Sequence, residues 1–240
     1  MKDIIAKYCK ELRLGRAIVE NYQDIEATTN EEFLVKLLEL AVQNRHLTRK
    51  NRYLKQANFE VMKTFENYSF DNIQIPESIT LNELKEGRFI HRRENLILYG
   101  PVGTGKTHMA TAIGVNACNQ EKRVKFYRTA TLVNQLVQEK EEGRLNKFLE
   151  TLRKTDLLIC DEWGYIPLDR DGAQLLFQVI AERYERRSVI ITTNLEFSKW
   201  NGIFYDDKIT GAIIDRLIHH CHLVIFTGKS YRLEHSGIRT

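Results

Sequence analysis

Five short apolar runs mark the second half of the chain: "NLILYG" from Asn95, "RVKFYRTA" from Arg123, "DLLICDE" from Asp156, "SVIITTN" from Ser188 and "HLVIFTG" from His222. Each has the length of a strand, and amphipathic helical segments separate them. In "GAQLLFQVIAERYERR" the residues Ala173, Leu176, Phe177, Ile180 and Tyr184 recur at helical spacing on one face. Short buried strands alternating with helices imply a parallel sheet covered on both sides, an α/β fold.

The start of the chain follows a different pattern. From Met1 to about Phe65 it reads as helical. Thr29 or Asn30 is the expected N-cap of a helix with Glu31 and Glu32 in its first turn, and Phe33, Leu37, Leu40 and Ala41 follow at helical spacing. Asn72 to Ser78 is expected to be extended, because Pro76 disfavours helix just before it. The expected boundaries are a helical N-terminal domain over 1–66 and an α/β domain over 67–240. At 240 residues and 42% hydrophobic content the chain can bury a core. A net charge of +4 leaves a nucleic-acid partner open without demanding one. Cys9, Cys118, Cys160 and Cys221 are scattered, which suits a reducing cytoplasm. "MKDIIAKYCKEL" shows no signal-peptide pattern, and no apolar run approaches membrane-spanning length.

The first strand runs straight into a glycine-studded turn, "LILYGPVGTGKTHMATAIG". Gly100, Pro101, Val102, Gly103, Thr104, Gly105, Lys106 and Thr107 match G-x-x-x-x-G-K-[ST], with a strand before and a helix after. Phosphates need backbone N–H groups at close range, and glycine permits the approach and the positive φ angles that turn amides inward. The following helix, with His108 in its first turn, adds its dipole. Lys106 can reach the β- and γ-phosphates of a nucleotide, and Thr107 can ligate Mg2+.

Three further features bear on what happens to the phosphate. The strand "LLICDEWG" ends in Asp161, placed to hold Mg2+, and Glu162, placed to activate water. The strand "SVIITTNLEF" ends in Asn194, which can hydrogen-bond the γ-phosphate or the lytic water, with Thr193 second. In "ITGAIIDRLIHH" Ile213, Ile214 and Leu217 pack while Arg216 faces elsewhere. An arginine offered to a neighbouring copy's γ-phosphate would neutralise developing charge. Spacing alone favours a structural or surface arginine here.

Together these residues resemble the AAA+ ATPases of the DnaA/DnaC/IstB group, and within it the IstB proteins, ATP-binding helpers of insertion-sequence transposition. The stretches "DEWGYIPLDRDGAQLLFQVIAERYERRSVIITTNLEFSKW" and "DRLIHHCHLVIFTGKSYRL" carry the resemblance, which extends from about Asn58 to the end of the chain. It implies an ASCE five-stranded parallel sheet sandwiched by helices, with a small all-α domain before it. It implies that Arg216 acts as an arginine finger across subunits, that Arg232 in "SYR" is sensor-2-like or a second inter-subunit arginine, and that Phe70 flanks the adenine. It further implies an ATPase active with Mg2+, ATP-dependent self-assembly into a ring or spiral on double-stranded DNA, recruitment of an IstA-type transposase, and a place at the bacterial nucleoid. A DnaC-type helicase loader shares the same core and is the alternative. A P-loop small-molecule kinase is disfavoured by Glu162, Asn194 and Arg216.

Two basic clusters are candidates for DNA phosphates. Arg45, Arg49 and Arg52 share one helical face, with Lys50 and Lys55 nearby. Lys140, Arg144 and Lys147, followed by Arg153 and Lys154, lie where the group inserts an extra helix facing the DNA axis. Either cluster also reads as a solvated helix face, and Glu139, Glu141 and Glu142 support that for the second. "HHCH" at 219–222 invites a zinc site, but adjacent residues point in different directions, and packing at the end of the Arg216 helix is the expectation.

Overall fold

The computed structural model describes residues 1–204 and 206–234, and the chain divides into two compact units, Met1–Tyr53 and Leu54–Thr240. The division falls before the 66/67 boundary expected from the change of sequence pattern.

The first unit contains α1 (Lys2–Glu11), α2 (Arg16–Asn21) and most of α3 (Asn30–Gln56). Thr29 caps α3: its Oγ1 accepts the Glu32 amide at 3.1 Å, while the Thr28 amide and hydroxyl donate to the Glu32 carboxylate at 2.8 and 2.7 Å. Cys9, Ile18 and Ala41 form its small core, with Leu37 packed against them. The helix stops at Gln56, short of Phe65. Asn58 takes a left-handed φ of 61°, and the Ala57 carbonyl accepts the Phe126 amide at 2.7 Å.

In the second unit the chain passes through β1 (Ile73–Gln74), α4 (Leu81–Glu86), α5 (Arg88–Arg92), β2 (Asn95–Tyr99), α6 (Lys106–Asn119) and β3 (Val124–Arg128). There follow α7 (Thr129–Glu141), α8 (Leu145–Arg153), β4 (Leu157–Asp161), α9 (Arg170–Arg183), β5 (Ser188–Thr193), α10 (Asp207–Ile218), β6 (Cys221–Phe226) and α11 (Tyr231–Glu234). The five apolar runs are the five parallel strands of one sheet, ordered β6-β2-β5-β4-β3, and β1 adds an antiparallel edge on β6. Parallel pairing puts the carboxyl ends of all five strands on one edge, where the glycine turn and Asp161 both fall.

Successive strand residues serve opposite layers. Ile97, Leu158, Cys160, Val189 and Ile191 join a core with Leu132 and Leu136 of α7, Leu149 and Leu152 of α8, Leu176 and Ile180 of α9, and Ile213 and Leu217 of α10. α6 is buried nearly all round, with Met109, Ala112, Ile113 and Cys118 inaccessible. Each such large apolar side chain contributes about 1.5–3 kcal/mol over an exposed one, which makes α6 a rigid base for the turn at its start. Among the described residues no helix is long and apolar enough to cross a membrane.

Candidate functional site: a phosphate cradle at the carboxyl edge of the sheet

The turn between β2 and α6 is fixed from both sides. Gly100 donates its amide to the Thr193 carbonyl of β5 at 3.2 Å. Gly103 (φ 82°) and Gly105 (φ 96°) are left-handed. A Cβ on Gly103 would run into Ser230, and Tyr231 donates its amide to the Gly103 carbonyl at 3.0 Å, so the segment after β6 lies on the turn. Gly105 is the N-cap of α6 with no side-chain cap, so the first-turn amides of α6 have no capping side chain and can meet an anion. Thr104 Oγ1 donates to the Pro101 carbonyl at 2.8 Å, and Val102 is exposed at the tip.

Lys106 Nζ donates to the carbonyls of Gly100 and Pro101 at 2.7 and 2.6 Å. Burial lowers its pKa to about 8, the Asp161 carboxylate opposes that shift, and the Arg232 charge adds to it. Arg232 follows Tyr231, whose amide holds the Gly103 carbonyl, so α11 starts at the cradle of its own chain.

Asp161 ends β4 and is almost wholly buried. It accepts from Thr107 Oγ1 at 2.9 and 3.1 Å and from Thr192 Oγ1 of β5. Burial raises its pKa, against those hydrogen bonds. A hydroxyl and a carboxylate converging beside the cradle form a hard oxygen donor set of the kind Mg2+ takes. Glu162 follows in a left-handed conformation (φ 57°), its amide donating to Thr192 Oγ1 at 3.0 Å. Its carboxylate is partly exposed, 3.8 Å from Arg128 Nε; Arg128 also pairs with Glu60 at 2.7 Å.

Asn194 sits exposed just past β5 on the same edge. Thr193 is already engaged: its hydroxyl donates to the Trp163 carbonyl at 2.9 Å and accepts the Leu195 amide at 3.1 Å. Phe70 belongs to an aromatic group with Phe65 and Tyr68, whose ring centroids lie 5.7 and 4.9 Å from its own. Tyr68 donates to the Gly105 carbonyl at 3.1 Å and packs 4.7 Å from the His108 ring, and His108 Nε2 is 2.7 Å from the Thr64 carbonyl.

The end of α10 that carries Arg216 lies at the other edge. Asn95, the first residue of β2, donates its amide side chain to the Leu217 carbonyl at 3.0 Å, whereas the cradle begins after the last, Tyr99. Five strand residues span about 16 Å. Arg216 donates to the Ala212 carbonyl at 2.8 Å, and its guanidinium stands 5.1 Å from the Phe177 ring centroid. Among the described residues it forms no ion pair, with Asp215 or any other carboxylate.

In the first unit Arg45 donates to the Arg13 carbonyl at 3.1 Å, Arg52 stands 5.3 Å over the Tyr53 ring, and Arg49 is in the same helix. In the second, Lys140 pairs with Asp171 at 3.1 Å, Arg144 with Glu139 at 3.0 Å and also with Glu142, and Lys147 is exposed. The "HHCH" run splits: buried His222 joins Glu94 and Ser78, both at 2.8 Å, while His219 and His220 turn to Glu185.

Sequence reading missed Tyr68, Thr192 and Arg128. An aromatic-rich stretch "TFENYSF" before β1 was the available signal for the first. The other two become visible only when β3, β4 and β5 are laid side by side.

A model of the IstB-like ATP binding protein family matches residues 10–238. An insertion sequence IS5376 ATP-binding protein of Geobacillus stearothermophilus is 34% identical over 244 residues, covering 100% of this chain and 97% of the relative. An insertion sequence IS21 ATP-binding protein of Pseudomonas aeruginosa is 39% identical over 203 residues, covering 85% and 77%. Among solved structures, AMPPCP-bound DnaA from Aquifex aeolicus superposes with a TM-score of 0.54 at 22% identity, covering 71% of this chain and 52% of that one. The DnaC helicase loader gives 0.50 at 24% identity, covering 73% and 99%. These last two show the AAA+ fold.

Proposed function

Because the chain belongs to the IstB-like ATP binding protein family, we propose that it is a DNA-dependent ATPase whose bound triphosphate joins neighbouring copies on DNA, where the assembly recruits a transposase. The relatives' association with insertion sequences supports transposition over helicase loading.

The turn amides and Lys106 hold the β- and γ-phosphates, and Tyr68, packed between Phe70 and His108 and bonded to the Gly105 carbonyl, offers a surface for the base. Thr107 and Asp161 would hold Mg2+, which neutralises phosphate charge when bound. Glu162 takes the proton from a water that attacks the γ-phosphorus, Asn194 orients that water, and the β–γ bridging bond breaks with its electrons leaving on ADP. Arg232 serves the same chain's nucleotide, in keeping with the start of α11 on the Gly103 carbonyl.

One observation carries the assembly: α10 ends at the edge of the sheet opposite the cradle, and the Arg216 guanidinium turns onto Phe177 of α9 rather than toward the cradle of its own chain. An arginine so placed reaches a γ-phosphate only if that phosphate sits on another copy. Hydrolysis then removes the bridging group and loosens the assembly, so the reaction works as a timer. DNA contacts from Arg45, Arg49 and Arg52, and from Lys140, Arg144 and Lys147, go to phosphates, which gives weak sequence preference and steep salt dependence. The carboxylate partners of Lys140 and Arg144 do not bar this, since exposed pairs contribute only about 0–1 kcal/mol. Such a protein works at the nucleoid.

The test is complementation between two inactive variants. Arg216→Ala should bind nucleotide normally and lose about 10³-fold or more in hydrolysis. Glu162→Gln keeps Arg216 but lacks the base. Mixing the two should restore hydrolysis, because sites form with Glu162 from one copy and Arg216 from the other. Full activity of Arg216→Ala alone, or no recovery in the mixture, contradicts the reading.

A further inference from the structure

At the edge of the sheet remote from the cradle, one ring nitrogen each of His219 and His220 and a carboxylate oxygen of Glu185 lie within 4.8 Å of one another. Hydrogen bonds hold the backbone at all three. Glu185 takes a left-handed φ of 57° in the turn after α9, where the amides of Arg186 and Arg187 both donate to the Arg183 carbonyl at 2.9 Å. The Arg183 guanidinium is buried and donates to the carbonyls of Leu152, Thr155 and Ser188 at 2.9, 3.2 and 2.8 Å, so the turn cannot drift. His219 closes α10 with its amide on the Asp215 carbonyl at 3.2 Å, and the His220 carbonyl accepts the Asn95 amide at 2.7 Å. A phenol orients one imidazole: Tyr184 Oη is 2.7 Å from His219 Nδ1. Such outer partners commonly set the pose of ligating histidines.

We propose that Glu185, His219 and His220 bind a borderline divalent transition metal of the Zn2+ class, clamping the α10–β6 junction to the turn after α9. Two imidazoles and a carboxylate are a donor set for Zn2+, and the all-oxygen cations Mg2+ and Ca2+ have little use for it. The ligands are exposed, with His220 and Glu185 side chains at 50% and 56%, so the ion keeps at least one open position. The clamp joins the same two helices that the Arg216–Phe177 contact joins, three residues before His219, and so stiffens the helix that carries Arg216. The metal site itself does not depend on the proposed ATPase role.

The probe is Zn2+ titrated into full-length, tag-free protein against a chromophoric chelator, with Mg2+ in excess. One equivalent should bind. His219→Ala, His220→Ala and Glu185→Gln should each weaken it at least about tenfold, whereas His91→Ala on the α5 surface should not. Zn2+ should raise the melting temperature of the wild type and not of His220→Ala, with equal melting of both in chelator showing that the variant folds. Should a ligand variant melt early, Co2+ loaded into the wild type gives the independent readout, with the visible absorption of a low-symmetry His/carboxylate site expected. Binding of less than one equivalent, unaltered binding in all three variants, or a Co2+ spectrum of the hexa-aquo ion would each overturn the proposal.

Discussion

Thr107 and Asp161 lie 54 residues apart, yet the threonine Oγ1 stands 2.9 and 3.1 Å from the two oxygens of the aspartate carboxylate. The parallel pairing of strands brings them together: β2 delivers the turn before Thr107, β4 delivers Asp161, and β5 between them supplies Thr192 to the same carboxylate.

Asp161→Asn should separate folding from chemistry. Burial raises the folded-state pKa of Asp161, so ionisation costs stability as pH rises through the carboxylate range, and the neutral amide avoids that cost. The variant should melt at or above the wild-type temperature while Mg2+-dependent hydrolysis drops about 10²-fold or more. Calorimetry and phosphate release measure the two sides. A variant that melts far below wild type would mean the carboxylate is structural.

Lys106 should make nucleotide binding pH-dependent. Its pKa falls from 10.5 to about 8 in the free protein. The unfolded chain therefore holds more protons between those values, and stability of the free protein should rise with pH across that window. A bound polyphosphate favours the charged lysine, so affinity should be full below about pH 8 and then fall, by up to about tenfold per unit. Displacement of a fluorescent nucleotide between about pH 7 and pH 9.5 reads this slope. Lys106→Met should lose both trends, and a flat wild-type profile would mean that Lys106 is not the group that gains a proton on binding.

Glu162→Gln should slow hydrolysis by about 10²–10⁴-fold while leaving the fold intact, since the half-exposed carboxylate supports only a long contact with Arg128. Complexes on DNA should outlast those of the wild type in ATP, as followed by single-molecule residence times. Faster release by this variant is incompatible with hydrolysis as the timer.

Much of this was legible in the sequence because it is local. Five apolar runs became five strands, the glycine spacing set the turn, and Asp161 followed its strand directly. What escaped depends on distant segments meeting. β1 is two residues long and exists through its pairing with Phe226 and Ile225. Thr192 looks like an ordinary strand residue until β4 lies beside it. His219 and His220 gained their third partner from a turn 34 residues earlier, where Glu185 is one charge among "ERYERR". The placement of Arg216 opposite the cradle follows from chain direction, which apolar spacing alone does not reveal.

In the proposed assembly the terminal phosphoryl of ATP links one copy to the next. The most direct measurement is the mass, by analytical ultracentrifugation, of the wild type and Arg216→Ala on a defined duplex with a non-hydrolysable ATP analogue or with ADP. Large particles should form only for the wild type with the analogue, dispersing with ADP or with the arginine removed. Particles of one size under all four conditions would mean that the γ-phosphate and Arg216 do not join the copies.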